Sequence, residues 1–206
     1  MPAVDGSVAC VARILDAALE EFREHGYAAS IDAVASRAHV ARQTIYNHFS
    51  GKQALFGAAL EHAIAELFAA LNAGGGDLRE RLIRFGVELR ARALAPQSIK
   101  LQRALLSEAP RFPELAEQYF NRCVLGACHQ MAAVFERAMQ EGRLRREDPF
   151  ETARLFIEMV VGLDRWRMLY GGPAPDAARD PERVARVVDF FLRAYAPAPM
   201  AAVREA

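Results

Sequence analysis

The chain has 206 residues, and its 26 basic side chains equal its 26 acidic ones, so the formal net charge at pH 7 is zero. A chain of this length can bury a substantial core, but the balanced charge does not indicate a nucleic acid, an anionic membrane or an acidic substrate as partner. The three cysteines, Cys10, Cys123 and Cys128, form no C-x-x-C pair, which argues against a disulfide framework and a metal site. No signal peptide opens the sequence, and no apolar run approaches the ~20 residues that span a bilayer. We expect a cytoplasmic protein without a membrane partner.

Three helices are predicted in the first 50 residues. Apolar residues recur at intervals of three and four from Val11 to Phe22, which predicts an amphipathic helix that Gly26 closes. A short second helix, a tight turn and a short third helix follow. Their apolar residues can pack the two short helices together at helical spacing: Ile31, Val34, Ala35, Val40, Ile45 and Phe49. This is the pattern of a DNA-reading helix-turn-helix module.

The third helix carries hydrogen-bonding side chains on its outer face. Arg42 and Gln43 can make bidentate contacts with guanine and adenine, and Tyr46 and Asn47 lie beside them. The stretch from residue 37 to residue 60 holds three basic residues, two histidines and no acidic residue. We therefore predict a modest positive stripe where a phosphate backbone would pass.

The remainder of the chain is also predicted to be helical. A long helix over 52–72 ends at the three glycines 74–76, and further helices are predicted over 77–94, 98–109, 113–141, 149–170 and 181–195. Asp148-Pro149 and Asp180-Pro181 each place a capping carboxylate before a proline, which is typical of a helix start. No stretch alternates as a strand does, so the predicted fold class is all-α. The tail after Pro197 is expected to fray.

The run from about Ala9 to Leu60 resembles the N-terminal domain of TetR-type (TetR/AcrR) transcriptional regulators. The segments that carry the resemblance include Gly26-Tyr27, residues 32–35, residues 44–49 and residues 52–56. The resemblance implies a three-helix DNA-binding domain over 1–52 and a larger helical domain for effector binding and dimerisation over 53–206. It also implies base contacts from Arg42, Gln43 and Tyr46 and phosphate contacts from Thr44, Tyr46, His48 and Lys52. The predicted DNA-binding set is Ser30, Arg42, Gln43, Thr44, Tyr46, Asn47, His48 and Lys52.

Three features depart from the family pattern. The connection between Tyr27 and Ile31 is one residue shorter than usual, so that Ser30 has to supply both a helix cap and a phosphate contact. His39 stands where a glycine usually makes the turn, and Ala41 stands where a serine often caps the third helix. Each of the last two changes is expected to cost on the order of 0.5–1 kcal/mol. Neither removes a base-facing residue.

The resemblance also implies a cavity for a small-molecule effector of unknown identity, lined by helices between residues 55 and 168, although most of the candidates are expected to be plain core. The predicted lining is Phe68, Phe85, Leu89, Leu105, Tyr119, Met131, Phe135, Met159 and Trp166. Arg165 and Arg167 could hold an anionic group or could pair with solvent and acidic side chains. No cofactor or metal is predicted.

The helix over 155–163 is apolar almost all round, which favours one face inside the subunit and another against a partner. By resemblance it forms a two-fold four-helix bundle with the last helix, the alternative being an ordinary monomer core. The predicted interface is Phe156, Val160, Val161, Val184, Val187, Val188, Phe191 and Tyr195.

These patterns predict a ligand-responsive, homodimeric repressor that binds a palindromic operator in double-stranded DNA and releases it when an effector binds. An enzyme is not predicted, because the sequence has no nucleophile elbow, H-E-x-x-H, P-loop or Rossmann fingerprint. The alternative is a helical protein-interaction module of the same fold that has lost DNA binding, which the near-neutral first domain and the missing cap favour.

Overall fold

The structure, a computed structural model, describes residues 3–73 and 75–197. Within these ranges the chain forms ten α-helices and no β-strand, which confirms the all-α prediction. A π-helical segment, Phe120–Leu125, joins two helices where a single one was predicted over 113–141. The predicted fraying after Pro197 lies outside the described residues. The helices are α1 Ala3–His25, α2 Ile31–Arg37, α3 Arg42–His48, α4 Lys52–Ala73, α5 Leu78–Ala93, α6 Pro96–Glu108, α7 Pro113–Tyr119, α8 Gly126–Gln140, α9 Pro149–Leu169 and α10 Asp180–Ala194.

The helices enclose two hydrophobic cores. The N-terminal core joins α1, α2, α3 and the first half of α4, and it also takes in Leu101, Leu105 and Leu115 from α6 and α7. The C-terminal core joins the second half of α4 with α5, α8, α9 and α10. Helix α4 therefore belongs to both cores, and α6 packs on the N-terminal one. A domain boundary at residue 52 stays a prediction.

Among the described residues, α4 is long and apolar enough over Lys52–Asn72 to cross a membrane, with a mean hydropathy of 1.5. The sequence analysis had found no such stretch, because Glu61, His62 and Glu66 interrupt the apolar residues. In the folded protein 56% of the window is buried, as the core helix of a soluble protein is. Length and composition are therefore weak evidence for a membrane span here.

The two ends of α2 accommodate two of the three departures. Ser30 caps α2, because its hydroxyl accepts a hydrogen bond from the Ala33 amide at 3.0 Å. At the other end of α2, the Val40 amide donates to the Ala35 carbonyl and the His39 amide donates to the Ser36 carbonyl, an arrangement that usually has glycine at the left-handed position. His39 occupies that position with φ 53°.

Replacing His39 by glycine is expected to raise the free energy of unfolding by about 1 kcal/mol, since a non-glycine residue at positive φ carries a penalty of about 1–2 kcal/mol. Thermal or urea unfolding measures the change. The matched control is Ser36→Gly, which lies on the exposed side of α2 at ordinary helical φ and should lose about 0.5 kcal/mol. A loss of stability in His39→Gly would show that the His39 side chain contributes more than its backbone conformation costs.

The starts of α9 and α10 differ from each other. Asp148 caps α9 as predicted, accepting from the Glu151 amide at 2.8 Å, with Pro149 in the first turn. Asp180 was predicted to cap the last helix in the same way, and that prediction is wrong. Its side chain makes no cap and instead accepts hydrogen bonds from Arg90 and Arg183, both at 2.8 Å. The buried guanidinium needs a counter-charge more than the helix end needs a cap.

The Arg90 side chain is 1% exposed and links α5 to α9 and α10. Helix α9 breaks at Gly162, whose φ of 45° and ψ of −140° lie in a region that glycine alone adopts readily. A break of this kind deprives carbonyl groups of the preceding turn of their helical partners. Arg90 donates to one of them, the Val160 carbonyl, at 2.7 Å, and to the Asp164 carboxylate at 2.6 Å. The Val160 carbonyl beside the break at Gly162 therefore accepts a hydrogen bond from the buried Arg90 side chain, which in turn stabilises the break.

Candidate DNA-binding surface and internal cavity

One face of helix α3 is packed against the N-terminal core, and the opposite face is exposed to solvent. Ile45 is 1% exposed and belongs to the N-terminal core, and Phe49 packs against that core. The predicted base-facing side chains lie on the opposite side of α3, and all are exposed: Arg42, Gln43, Tyr46 and Asn47. The structure thus brings these four together on one accessible face, as a recognition helix requires.

The four side chains contact one another. Arg42 bonds to the Tyr46 hydroxyl at 3.3 Å, and its guanidinium lies 5.5 Å from the Tyr46 ring centroid. Gln43 donates to the Asn47 side chain at 3.1 Å. Arg42 also donates to both carboxylate oxygens of Asp32 on α2, at 3.0 and 3.1 Å. Binding to bases would exchange these exposed contacts for contacts with DNA.

Replacing Asp32 by asparagine is expected to raise affinity for DNA severalfold, because it frees Arg42 and removes a negative charge from the reading face. The plot of log affinity against log salt should steepen, because the protein surface that meets the DNA loses one negative charge. Glu141→Gln is the control, since it removes one negative charge just after α8 and leaves α3 untouched. An unchanged salt slope in Asp32→Asn would show that Arg42 does not reach DNA.

The side chains predicted to contact phosphate divide into two groups. Those of Ser30, Thr44 and His48 form the first, and that of Lys52, which is turned into the protein, forms the second. Ser30 uses its oxygen for the cap, which leaves its hydroxyl hydrogen free to donate. His48 is exposed and Thr44 is half-buried. Lys52 turns inward instead: its ammonium group donates to the Tyr27 carbonyl and lies 4.4 Å from the Tyr27 ring centroid. Burial lowers the pKa of Lys52. This lysine fastens the turn after α1 to the start of α4.

The predicted positive stripe is largely neutralised, which corrects the sequence analysis. Arg37 makes ion pairs with three carboxylates of α1, those of Glu20, Glu21 and Glu24, at 2.7–2.9 Å. The Arg37 guanidinium lowers the pKa of Glu24 through its hydrogen bond. Charges distant in sequence meet here because α2 packs across α1. A positive surface beside α3 therefore requires Arg42 to break its ion pair with Asp32, together with basic groups next to α3.

A separate cavity of about 110 Å³ lies between the two cores. Its wall comes from α1, α4, α5, α6, α9 and the region around the π-helical segment. Most of the wall is apolar, with Leu60, Ile64, Leu67, Leu101 and Val161 among its residues. Its polar groups are Arg23, Arg92, Ser98, Gln102, Tyr119, Cys123, Glu158 and Arg165.

Only two of the nine predicted lining residues, Leu89 and Tyr119, border this cavity. Five others fill the cores, because large apolar side chains at helical spacing are used for packing: Phe68, Phe85, Leu105, Met131 and Phe135. Met159 is half-buried and Trp166 is 47% exposed, both away from the cavity. The prediction also missed Arg23, because it confined the lining to residues 55–168 whereas α1 reaches the cavity.

Most residues of the predicted dimer interface are buried inside the subunit, so they are not available to a partner in this structure. Six of its residues have exposed fractions of 8% or less and belong to the subunit's own core: Phe156, Val160, Val161, Val184, Val188 and Phe191. Val187 and Tyr195 are half-buried and pack against that core. Apolar periodicity marks which residues share a face, but it does not say which of two apolar faces turns inward.

Large apolar side chains remain exposed along α9 and just after it. Leu155 and the half-buried Met159 lie before the break at Gly162, whereas Leu163, Trp166 and Tyr170 lie after it; we call these five residues the outer stripe. Leu163 is 84% exposed and Tyr170 is 87% exposed. On α10, Phe190 is 58% exposed.

Two clusters bring together side chains of the kind that bind metal ions. Asp16, His62 and Glu66 form one, and Glu21, Glu24 and His25 form the other. Glu21 and Glu24 are already paired with Arg37, and His62 already contacts Asp16 at 3.1 Å. Ion pairs within the protein thus account for both clusters.

The fold and the exposed face of α3 define a helix-turn-helix protein with a larger helical C-terminal part. A model for bacterial regulatory proteins of the TetR family matches residues 14–59. A model for the C-terminal domain of AefR-like transcriptional repressors matches residues 80–197, which is more than half of the chain. The chain therefore belongs to the TetR family of transcriptional regulators, with a C-terminal domain of the AefR-like type.

Solved structures agree with this assignment. A protein from Mesorhizobium loti described as a TetR-family transcriptional regulator is 21% identical, with a TM-score of 0.70 over 92% of this chain and 98% of that one. The flavonoid-responsive regulator FrrA is 25% identical, with a TM-score of 0.63 over 93% and 99%. A TetR transcriptional regulator from Agrobacterium tumefaciens is 23% identical, with a TM-score of 0.68 over 90% and 94%. No curated protein matches the chain.

Proposed function

We propose that the protein is a homodimeric repressor that binds a palindromic DNA operator and releases it when a small molecule enters the cavity. Residues 1–52 would bind DNA in the cytoplasm, and residues 53–206 would bind the effector and the second subunit. The observation that carries the proposal is α3, a rigidly supported helix whose exposed face offers Arg42, Gln43, Tyr46 and Asn47 to base edges.

The outer stripe supports a dimer. Monomeric proteins rarely expose several neighbouring large apolar side chains, and here α9 and the residue that follows it expose Leu155, Leu163, Trp166 and Tyr170. The rings of Trp166 and Tyr170 stack at 6.5 Å, which holds them as one surface. A two-fold axis through this face would pack α9 and α10 against their copies and pair two reading helices for successive major grooves.

The position of the cavity supports ligand response. Its wall includes α1 and α4, which also carry the N-terminal core, so a molecule inside it contacts the scaffold of α2 and α3. FrrA, at 25% identity, is by name responsive to a small molecule. An effector that binds one conformation better shifts the population toward it. Release follows if that conformation spaces the two α3 helices incorrectly for DNA.

Replacing Tyr46 by alanine tests the orientation of α3. Operator affinity should fall by about 1–3 kcal/mol, or roughly 5- to 150-fold, because the variant loses a base-facing ring and the partner of Arg42. Fluorescence anisotropy with labelled DNA measures this, while gel filtration checks that the dimer persists. Tyr46→Phe, which keeps the ring, should lose less. Unchanged affinity in Tyr46→Ala would contradict the proposed reading face.

The pairing of Arg37 and Arg42 with carboxylates favours a second candidate, a protein-interaction module that has lost DNA binding. Retention on heparin or nonspecific DNA that falls steeply with salt supports the repressor. Retention that is absent at low salt supports the module.

A further inference from the structure

The cavity contains an arginine that lacks a counter-charge. Arg23, on α1, is half-buried, and within the described part of the chain it has no carboxylate within 4.0 Å and no hydrogen-bonded partner. Burial and the neighbouring Arg92 both lower the pKa of Arg23. A guanidinium that is partly removed from water and has no partner is less favourable in the empty protein than one in full contact with solvent. It is suited to a ligand that brings the missing negative charge.

The other charged groups of the cavity do not neutralise its excess positive charge. Arg92 is already bound to Glu88 at 2.6 Å, outside the cavity wall. Arg165 is 3.9 Å from Glu158, a distance too long for a hydrogen bond. Glu158 is the only carboxylate in a wall that carries three arginines. Burial raises the pKa of Tyr119 and of Cys123, so both stay neutral at pH 7 and add no negative charge.

The size and the wall define the uncharged part of the ligand. Leu60, Ile64, Leu67 and Leu101 present hydrocarbon to the interior. The volume of about 110 Å³ is well below the ~300–1,000 Å³ of pockets that enclose drug-sized molecules. It is nearer to an apolar cavity of about 150 Å³ that holds a benzene molecule. The cavity thus suits an apolar body of about one ring.

We propose that the effector is a small amphipathic monocarboxylate whose carboxylate pairs with Arg23 and whose apolar body lies against α4 and α6. This inference rests on the proposed function. Arg23 lies in the same turns of α1 as Glu20 and Glu24, the residues that Arg37 uses to attach α2. An anion that draws Arg23 toward the cavity therefore acts on the part of α1 that positions the helix-turn-helix.

Calorimetric titration of the full-length protein tests this with three acids and their neutral amides: benzoate against benzamide, phenylacetate against phenylacetamide, and hexanoate against hexanamide. At least one acid should bind about 10- to 100-fold more tightly than its amide, the range for a hydrogen bond to a charged group. Arg23→Gln should abolish this preference, and Arg23→Lys should restore part of it. Arg143→Gln, an exposed arginine after α8, should leave it unchanged.

Circular dichroism first establishes that the Arg23 variants are folded. Absence of binding by all three acids at millimolar concentration would overturn the proposal, as would equal affinity for acid and amide or a preference that survives in Arg23→Gln. Operator binding is measured separately without ligand, so a wild-type protein that binds acids but not DNA would contradict the proposed function alone. An acid that binds at Arg23 but leaves operator affinity unchanged would overturn its role as effector.

Discussion

Replacing Arg90 by methionine is expected to lower the free energy of unfolding by about 3 kcal/mol, the lower end of the range for breaking a buried ion pair. The variant leaves Asp180, which is 6% exposed, without its closest buried partner and leaves the Val160 carbonyl without its donor. Arg183 still contacts Asp180, which is why the loss is not larger. Urea unfolding followed by circular dichroism measures the change.

Arg79→Met is the matched control. Arg79 joins the same two helices, α5 and α10, through Asp189 at 2.6 Å, but its side chain is 46% exposed. Exposed pairs contribute little because water screens them, so this variant should remain close to wild type. Adding Asp180→Asn to Arg90→Met should recover part of the loss, since it removes the unpaired charge. Equal effects of Arg90→Met and Arg79→Met would contradict a special role for the buried network.

Replacing Leu163 by glutamate is expected to dissociate the dimer and to lower operator affinity. Leu163 is 84% exposed in the subunit, so the fold itself should tolerate the change. In the proposed dimer the charge would be buried in the outer stripe twice, once from each subunit. A central apolar contact contributes about 2 kcal/mol or more, so the dissociation constant should rise at least about 30-fold.

Sedimentation velocity over a range of concentrations measures the dimer, and anisotropy measures operator binding by the same samples. Leu106→Glu is the control, because Leu106 is 59% exposed on α6 and lies outside the outer stripe. A Leu163→Glu protein that stays dimeric at the concentration where wild type does would place the subunit contact elsewhere.

Local signals made the helix-turn-helix predictable from sequence. The periodic apolar residues of α1 to α3, the Ser30 cap and the left-handed residue at His39 all depend on neighbours a few positions away. The structure confirms the cap and the positive φ, and α3 exposes the four residues named from the sequence. The all-α class was predictable for the same reason, since helical periodicity and capping residues are local.

The errors concern contacts between residues far apart in sequence. Arg90 meets Asp180 across 90 positions, and nothing near Asp180 distinguishes a buried counter-ion from a cap. Core residues of α9 and α10 were predicted as a dimer interface because both faces of α9 are apolar. Arg23 was missed as a cavity residue because its role depends on how α1 packs against α4 and α6. Each of these depends on tertiary packing, which local pattern does not specify.

Selection from random double-stranded DNA tests whether a dimer of this protein reads DNA through α3. Purified protein without added ligand should enrich a palindrome whose half-sites lie about 10 base pairs apart, or a multiple of that spacing, as two reading helices on one side of the duplex require. The enrichment should vanish with Tyr46→Ala. Failure to enrich any sequence, with protein shown to be folded and dimeric, would contradict the account.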